Sequence, residues 1–343
     1  MRFRLPASSG TILAALFTAL AASASAGRAV SPAEAQSLRP VRVAYSAIGG
    51  PQVPFWVAKE AGHFEKNGLN VQMIFVRSGT QVAQAMIAGE LDLAITGGPS
   101  AVQASLAGAD QVMLTCTMNV LAFRVVASSR IQGPQDLKGK KMGITRFGSL
   151  ADFAARYILE KWGLKPEKDV ALLQLGGTPE TFAALAKGSI DSGILTDVQA
   201  FQARKLGLKE IIDLAESGLE FCYNGVAASR SYVNAQSETV RSFIKAHLEG
   251  IATFKRNRAL SVEVMQKYAR LKDPEPAEYA YEIYAHKYVP RVPTPTVAAI
   301  RPILENLGAR DPKARQADPA RFIEPRFVKE LEESGLIQRL YGP

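Results

Sequence analysis

"AGELDLAITGG" (Ala88–Gly98) and "KGSIDSGILTD" (Lys187–Asp197) are two versions of one phrase. Both read Gly, any residue, Leu or Ile, Asp, then a short apolar run. The likeness extends outward: Val71–Ala101 aligns with Val170–Ala200 without a gap, and upstream "EKNGL" (Glu65–Leu69) matches "EKWGL" (Glu160–Leu164). Each copy predicts the same course. A helix ends in Lys-X-Gly-Leu, with Gly as the left-handed stop. A strand follows, Val71–Val76 or Val170–Leu175, and a Gly-Thr pair turns the chain into a helix that stops at Gly89 or Gly188. An Asp then leads into a second strand, Leu93–Thr96 or Gly193–Leu195. Strands alternating with helices at this spacing make parallel βαβ units. Two copies predict two α/β lobes. Asp92 and Asp191 lie at the helix-to-strand end of each unit, away from the strand tips where open α/β sheets bind ligands. They therefore read as turn-stabilising residues, not as a catalytic carboxylate pair.

Two further segments resemble each other, "AFRVVASS" (Ala122–Ser129) and "YNGVAASR" (Tyr223–Arg230), and they bracket the second repeat. The simplest reading is a chain that crosses between lobes at the first and returns at the second, making a two-strand hinge. Lobe 1 is then residues 40–124 and 228–343, ending in helices, and lobe 2 is residues 125–227. In the tail, Val240, Phe243, Ile244, Leu248, Ile251 and Phe254 keep helical spacing. His247 lies on that stripe and reads as a packed side chain. Tyr281, Tyr284 and Tyr288 read as core for the same reason. The N-terminus carries Arg2 and Arg4, the apolar run Ile12–Ala22 and the small residues Ala24-Ser25-Ala26. That pattern predicts a cleaved signal peptide, residues 1–26, cut after Ala26, and hence a periplasmic protein. The chain has two cysteines, Cys116 and Cys222. Export would permit a disulfide; two buried free thiols is the preferred reading. The net charge is +9, of which Arg2 and Arg4 supply two units, and the basic residues are dispersed. Without a basic stripe, nucleic acid is not an expected partner. A mild positive field suits small anions.

The stretches "VPFWVAKEAGHFEKNGLNVQM", "AGELDLAITGGPSAVQASLAGAD", "DLKGKKMGITRFGSLADFAARYILEKWGL" and "LGGTPETFAALAKGSIDSGIL" together resemble the nitrate/sulfonate/taurine-type substrate-binding proteins of ABC importers. The resemblance covers about Val41 to Leu336. It implies a type II periplasmic binding protein: two lobes, each a mainly parallel sheet with flanking helices and one antiparallel strand, joined by a hinge. It also implies a monomer that delivers a small molecule to a membrane permease.

The binding cleft is expected at the carboxyl tips of the strands, where helix N-termini also point. The loops there are rich in Gly, Ser and Thr, which offer backbone N–H groups and hydroxyls to an anion. The expected ligand is a small organic anion, a carboxylate or a sulfonate. The candidate contacts are Ser46, Arg77, Gly98, Ser100, Thr117, Asn119, Arg146, Gly148, Ser149, Thr178 and Asp197. Arg146 is the first choice of cation because its planar fork suits a carboxylate; Arg77 is the second. Phe55, Trp56 and Phe147 could stack on an aromatic ligand, although Trp56 reads as core. Asp197 would repel an anion unless it turns away or pairs with an arginine; facing the ligand, it would favour an amine or a zwitterion.

No catalysis, metal site or cofactor is expected. The sequence has no G-x-S-x-G, no H-E-x-x-H and no Walker A loop. The fold superfamily implied by the resemblance includes thiamine-pyrimidine synthases with a Cys-rich motif. This chain lacks such a cluster, so pyrimidine binding or synthesis is an alternative and not the main reading. A ligand-sensing partner of a membrane receptor would have the same fold and is the other alternative.

Overall fold

A computed structural model describes residues 37–342; the expected signal peptide lies outside the described residues. Ten strands form two five-stranded sheets. In chain order they are β1 (Arg39–Tyr45), β2 (Leu69–Phe75), β3 (Leu93–Thr96), β4 (Gln111–Met113), β5 (Arg124–Ala127), β6 (Lys141–Ile144), β7 (Ala171–Gln174), β8 (Ser192–Leu195), β9 (Lys209–Asp213) and β10 (Gly225–Ser229). The first sheet runs β2-β1-β3-β10-β4 and the second β7-β6-β8-β5-β9. In the first, β1 pairs in parallel with β2 and β3, while β10 is antiparallel to both β3 and β4. In the second, β6 pairs in parallel with β7 and β8, while β5 is antiparallel to β8 and β9. The sheets thus have one plan. Each crossing segment supplies the antiparallel strand of the sheet it enters.

The repeated phrase produces a repeated local structure. Gly89 and Gly188 have φ of 74° and 70°, the left-handed geometry that ends each helix without a Cβ clash. The Asp three residues later then ties the unit to the neighbouring parallel strand. The Asp92 carboxylate accepts from the Arg42 N–H at 2.7 Å, and its own N–H donates to the Arg42 carbonyl at 3.0 Å. Asp191 does the same with Lys141, at 3.0 Å and 3.0 Å. Both aspartates therefore stabilise turns, as their position in the repeat predicts.

The C-terminal helices build the core behind the first sheet. Helix Ser237–Arg256 lies so close to helix Val53–Glu60 that a Cβ on Gly250 would stand 2.6 Å from the Pro54 carbonyl oxygen. Phe64 stacks on Phe243 (centroids 4.9 Å apart), and Phe55 on His247 (3.9 Å). Phe55 and Trp56 are fully buried, so neither is free to stack on a ligand. Among the described residues no helix is long and apolar enough to cross a membrane.

The two crossing segments pair with each other before entering their sheets. The Met118 N–H donates to the Asn224 carbonyl at 3.2 Å, the Tyr223 N–H to the Met118 carbonyl at 3.0 Å, and the Phe221 N–H to the Asn119 carbonyl at 2.9 Å. Beside this ladder Cys116 and Cys222 form a disulfide, with Cα atoms 5.3 Å apart. This corrects the expectation of two free thiols. A separation of 106 residues gives no hint of pairing in the sequence; only the antiparallel crossing brings the two together.

Candidate functional site

The tips of both sheets meet around a small cavity. It is lined from the first sheet's side by Ser46, Gln52, Ser78, Gly79, Gly97 and Ser100, and from the second's by Thr145, Ser149, Leu150 and Thr178. Phe123, Tyr223 and Asn224 of the crossing segments close its floor. Four helices begin here: Gly79–Ile87, Gly98–Leu106, Leu150–Lys161 and Thr178–Ala186. Two come from each half, and the first or preceding residue of each lines the cavity. Ser78 and Ser149 cap their own helices, accepting from the N–H of Gln81 (3.5 Å) and Asp152 (3.3 Å). Four helix N-termini converging on hydroxyl-bearing walls turn the positive ends of their dipoles toward the cavity, two of the helices carrying an acid, Asp152 or Glu180, in the first turn.

The halves are in contact across this cavity. The Ser100 hydroxyl donates to the Gly148 carbonyl at 3.5 Å, the Thr196 hydroxyl to the Ile48 carbonyl at 3.5 Å, and Arg77 pairs with Glu180 at 3.5 Å across the mouth. The enclosed space is about 30 Å³, room for roughly one water molecule. Pockets for small organic ligands run to roughly 300 Å³ or more. Such a ligand therefore enters only when the tips draw apart.

Of the candidates read from the sequence, Ser46, Ser100, Ser149 and Thr178 line the cavity. Gly98 lies one residue past the lining Gly97 and donates its N–H to the Cys222 carbonyl at 3.0 Å. Gly148 faces a neighbouring cavity of about 340 Å³ with Phe147, Asp152, Arg156 and Arg310. Arg77 is largely exposed at the rim, in its pair with Glu180. Arg146 is half-buried and outside the lining; its Nε has no hydrogen-bond partner among the described residues. Asn119 takes part in the crossing ladder through its carbonyl. Thr117 is turned into the core, where its hydroxyl meets His247 Nε2 at 2.9 Å. Its place beside the crossing strand had suggested the cleft, but its side chain points away from the sheet tips.

Asp197 is fully buried at the first position of helix Asp197–Lys205. It does not pair with a ligand-facing arginine in isolation; it belongs to a cluster. The Tyr284 hydroxyl donates to Asp197 Oδ1 at 2.6 Å. Tyr284 opens a single π-helical turn, Tyr284–Tyr288, of the C-terminal segment, so this contact bridges the two halves. Arg124, the first residue of β5, is 2% exposed and donates from Nη2 to Asp213 at 2.9 Å, with Glu210 at 3.5 Å from Nε. Burial pushes the Asp197 carboxyl above the usual aspartate range, against the opposing pull of Arg124 and the Tyr284 hydrogen bond. Burial also disfavours the Arg124 charge, but Tyr284, Asp197 and Asp213 outweigh it and hold its pKa above the ordinary value. The Tyr223 hydroxyl is raised by burial and by Asp197.

Sequence reasoning missed Arg124, Tyr223 and Tyr284. For Arg124 a signal was present: a lone charge inside the apolar run "AFRVV" needs a buried partner. Tyr284 sits on an aromatic stripe whose core reading is right for the ring but says nothing of the hydroxyl. Among the described residues no cluster of three or more His, Cys, Asp or Glu is arranged to hold a metal ion.

The comparisons with known proteins agree with this architecture. Residues 52–257 match the family described as "NMT1/THI5 like". The riboflavin-binding protein RibY of Chloroflexus aurantiacus is 27% identical over 257 residues, 71% of this chain and 72% of that protein. The alkanesulfonate-binding protein SsuA of Xanthomonas axonopodis pv. citri, solved with MOPS bound, superposes with a TM-score of 0.70 at 20% identity, covering 83% of this chain and 98% of that one. The periplasmic nitrate-binding protein NrtA of Synechocystis PCC 6803 superposes with a TM-score of 0.70 at 13% identity, covering 87% and 89%. The chain has the periplasmic binding protein fold.

Proposed function

We propose that this chain, which belongs to the NMT1/THI5-like family, is the solute-binding component of an ABC importer. It works in the periplasm, captures a small organic anion between its lobes, and presents it to the permease without altering it. The observation that carries this reading is the convergence of four helix N-termini, two from each half, on one hydroxyl-lined cavity at the sheet tips.

The energetics fit capture by closure. One helix terminus stabilises an anion by roughly 0.3–1 kcal/mol when exposed and up to about 2 when partly buried. Micromolar affinity needs about 8 kcal/mol. One half supplies two termini and falls short; four termini plus hydroxyl hydrogen bonds inside a water-poor cleft reach it. A carboxylate or sulfonate bridging both halves thus favours the closed arrangement, and closure is the signal a permease can recognise. The two bodies we assign to this motion are residues 40–124 with 228–343, and 125–227, adjusted at the crossings so that Gly225–Ala227 moves with the first sheet and Arg124 with the second; they hinge at the crossing ladder.

The test is a thermal-shift screen of the mature protein against carboxylates, sulfonates and nitrate, followed by calorimetry and small-angle scattering on the hits. The expected result is stabilisation by an organic acid, a smaller radius of gyration on binding, and recovery of the compound unchanged by NMR. Stabilisation by cations alone, or conversion of the compound, would refute it. Uptake lost in a deletion strain and restored by the intact gene separates transport from sensing.

A further inference from the structure

The anion-binding termini leave one side of the cavity unexplained. Gln52 and Tyr223 both line it, are 1% and 2% exposed, and have a polar atom, Gln52 Oε1 and the Tyr223 hydroxyl, with no hydrogen-bond partner among the described residues. Behind them, Asp197 Oδ2 and Arg124 Nη1 are also buried without a partner. Buried polar groups are nearly always satisfied, by protein, water or ligand. The four lie on a loop helix, a crossing segment, a strand and a helix N-terminus, and the two on Gln52 and Tyr223 belong to residues that line the cavity. They also differ in kind from the opposite walls. Ser78, Ser149 and the helix termini supply donors to negative charge, whereas this side presents Gln52 Oε1, an acceptor, and the Tyr223 hydroxyl, with the Asp197 acceptor and the Arg124 donor behind them, outside the lining. A second acid group would meet those acceptors unfavourably. An ammonium would sit beside Arg124, whose charge is already shared with Asp213 and Glu210. A neutral group with a donor next to an acceptor satisfies both kinds.

Resting on the binding-protein reading above, we infer that Gln52 and Tyr223, backed by Asp197 and Arg124, form the specificity side of the cleft, and that the ligand is an organic acid carrying a neutral amide, lactam or ureide edge. The acid group lies at the four helix termini and the amide edge against Gln52 and Tyr223. Phe123, whose ring meets that of Tyr223 edge-on at 5.1 Å, supplies the apolar floor between the two polar ends.

The experiment measures preference within pairs of acids: succinamate against succinate, glutaramate against glutarate, and orotate against benzoate, each by calorimetry on the wild-type chain and on Tyr223→Phe and Gln52→Leu. The expected result is that the amide-bearing member binds about tenfold tighter in at least one pair, and that both substitutions reduce that preference to within about threefold. The ratio is the readout because a merely structural role would weaken both members alike. The two residues lie on separate segments, so misfolding of one variant leaves the other to decide. If amide-free acids bind as tightly, or the preference survives both substitutions, this inference falls while the proposed function stands. If none of these acids binds, this inference falls, and the wider screen of sulfonates and nitrate decides the proposed function.

Discussion

The Tyr284 hydroxyl donates a 2.6 Å hydrogen bond to Asp197, joining the C-terminal helical segment to the helix that starts at the tip of β8. The same ring packs against Gly50, where a Cβ would stand 2.2 Å from it. One tyrosine therefore touches the first strand's loop and the opposite half at once. Around it, Lys205 pairs with Asp273 and Glu275 at 2.9 and 2.7 Å, and Phe201 meets Tyr279. The exposed lysine pairs contribute little in water; the buried hydroxyl–carboxylate bond is the contact whose loss matters.

Tyr284→Phe leaves a buried carboxylate without its donor. The expected cost is about 1–3 kcal/mol, falling on the arrangement in which the halves touch. Small-angle scattering of the ligand-free variant should give a larger radius of gyration than wild type. An unchanged radius and unchanged melting temperature would show that the bond does not hold the halves together.

His247 gives the chain a built-in acid sensitivity. It is fully buried, stacked on Phe55 and bonded to Thr117, and burial pushes its pKa down to about 3 from 6.5. Below pH 6.5 the unfolded chain binds a proton that the folded chain refuses. Stability is therefore fully present above pH 6.5 and declines as pH falls toward 3, at roughly 1.4 kcal/mol per pH unit. Between pH 6.5 and 5 this amounts to about 2 kcal/mol. Asp197, with its raised pKa, works in the opposite sense, so the difference between wild type and His247→Gln isolates the histidine. Urea unfolding at both pH values should show a shallower decline in the variant; parallel declines would count against the assignment.

The disulfide should be worth about 2–5 kcal/mol, since it closes a long loop in the unfolded chain. The Cys116→Ser/Cys222→Ser variant should unfold at lower denaturant concentration, and reductant should lower the wild-type midpoint toward the variant's. A thiol assay on the denatured, unreduced wild-type protein should find no free thiol; two free thiols would contradict the pairing.

Gly225 begins β10 where the two crossings part. A Cβ there would lie 1.9 Å from the Thr115 carbonyl oxygen, and the next residue is pinned by its N–H to the Thr115 hydroxyl at 2.9 Å. Backbone cannot yield as a side chain can, so Gly225→Ala should cost about 1–3 kcal/mol or more. A melting temperature equal to wild type would refute this close approach.

What could be read from the sequence was whatever repeats or is local. The twin phrases located both βαβ units, and the position of Asp92 and Asp191 within them predicted their turn role, seen in identical bonds to Arg42 and Lys141. The helix starts at Gly79 and Thr178 were readable because the Gly-Thr turn is a local signal. The rest depends on which segments meet. Cys116 and Cys222 pair only because the crossings run antiparallel. Thr117 turns inward because His247, far along the chain, waits for it. Arg124 draws its partners from β9 and its surroundings from the C-terminal helices, and no periodicity in its own strand records them.

The placement of β5 and β10 has a consequence for the order of assembly. The second sheet is drawn from one uninterrupted stretch, Arg124–Asp213, whereas the first lacks its fourth strand until Gly225–Ser229 has been made. As the chain emerges from its N-terminus, the part begun later is therefore completed earlier. β3 and β4 must wait with open edges for a partner that arrives only after the other sheet is whole. A nascent chain halted before residue 225 would carry a finished sheet beside an unfinished one, with unpaired strand edges of the kind that expose a folding chain to aggregation.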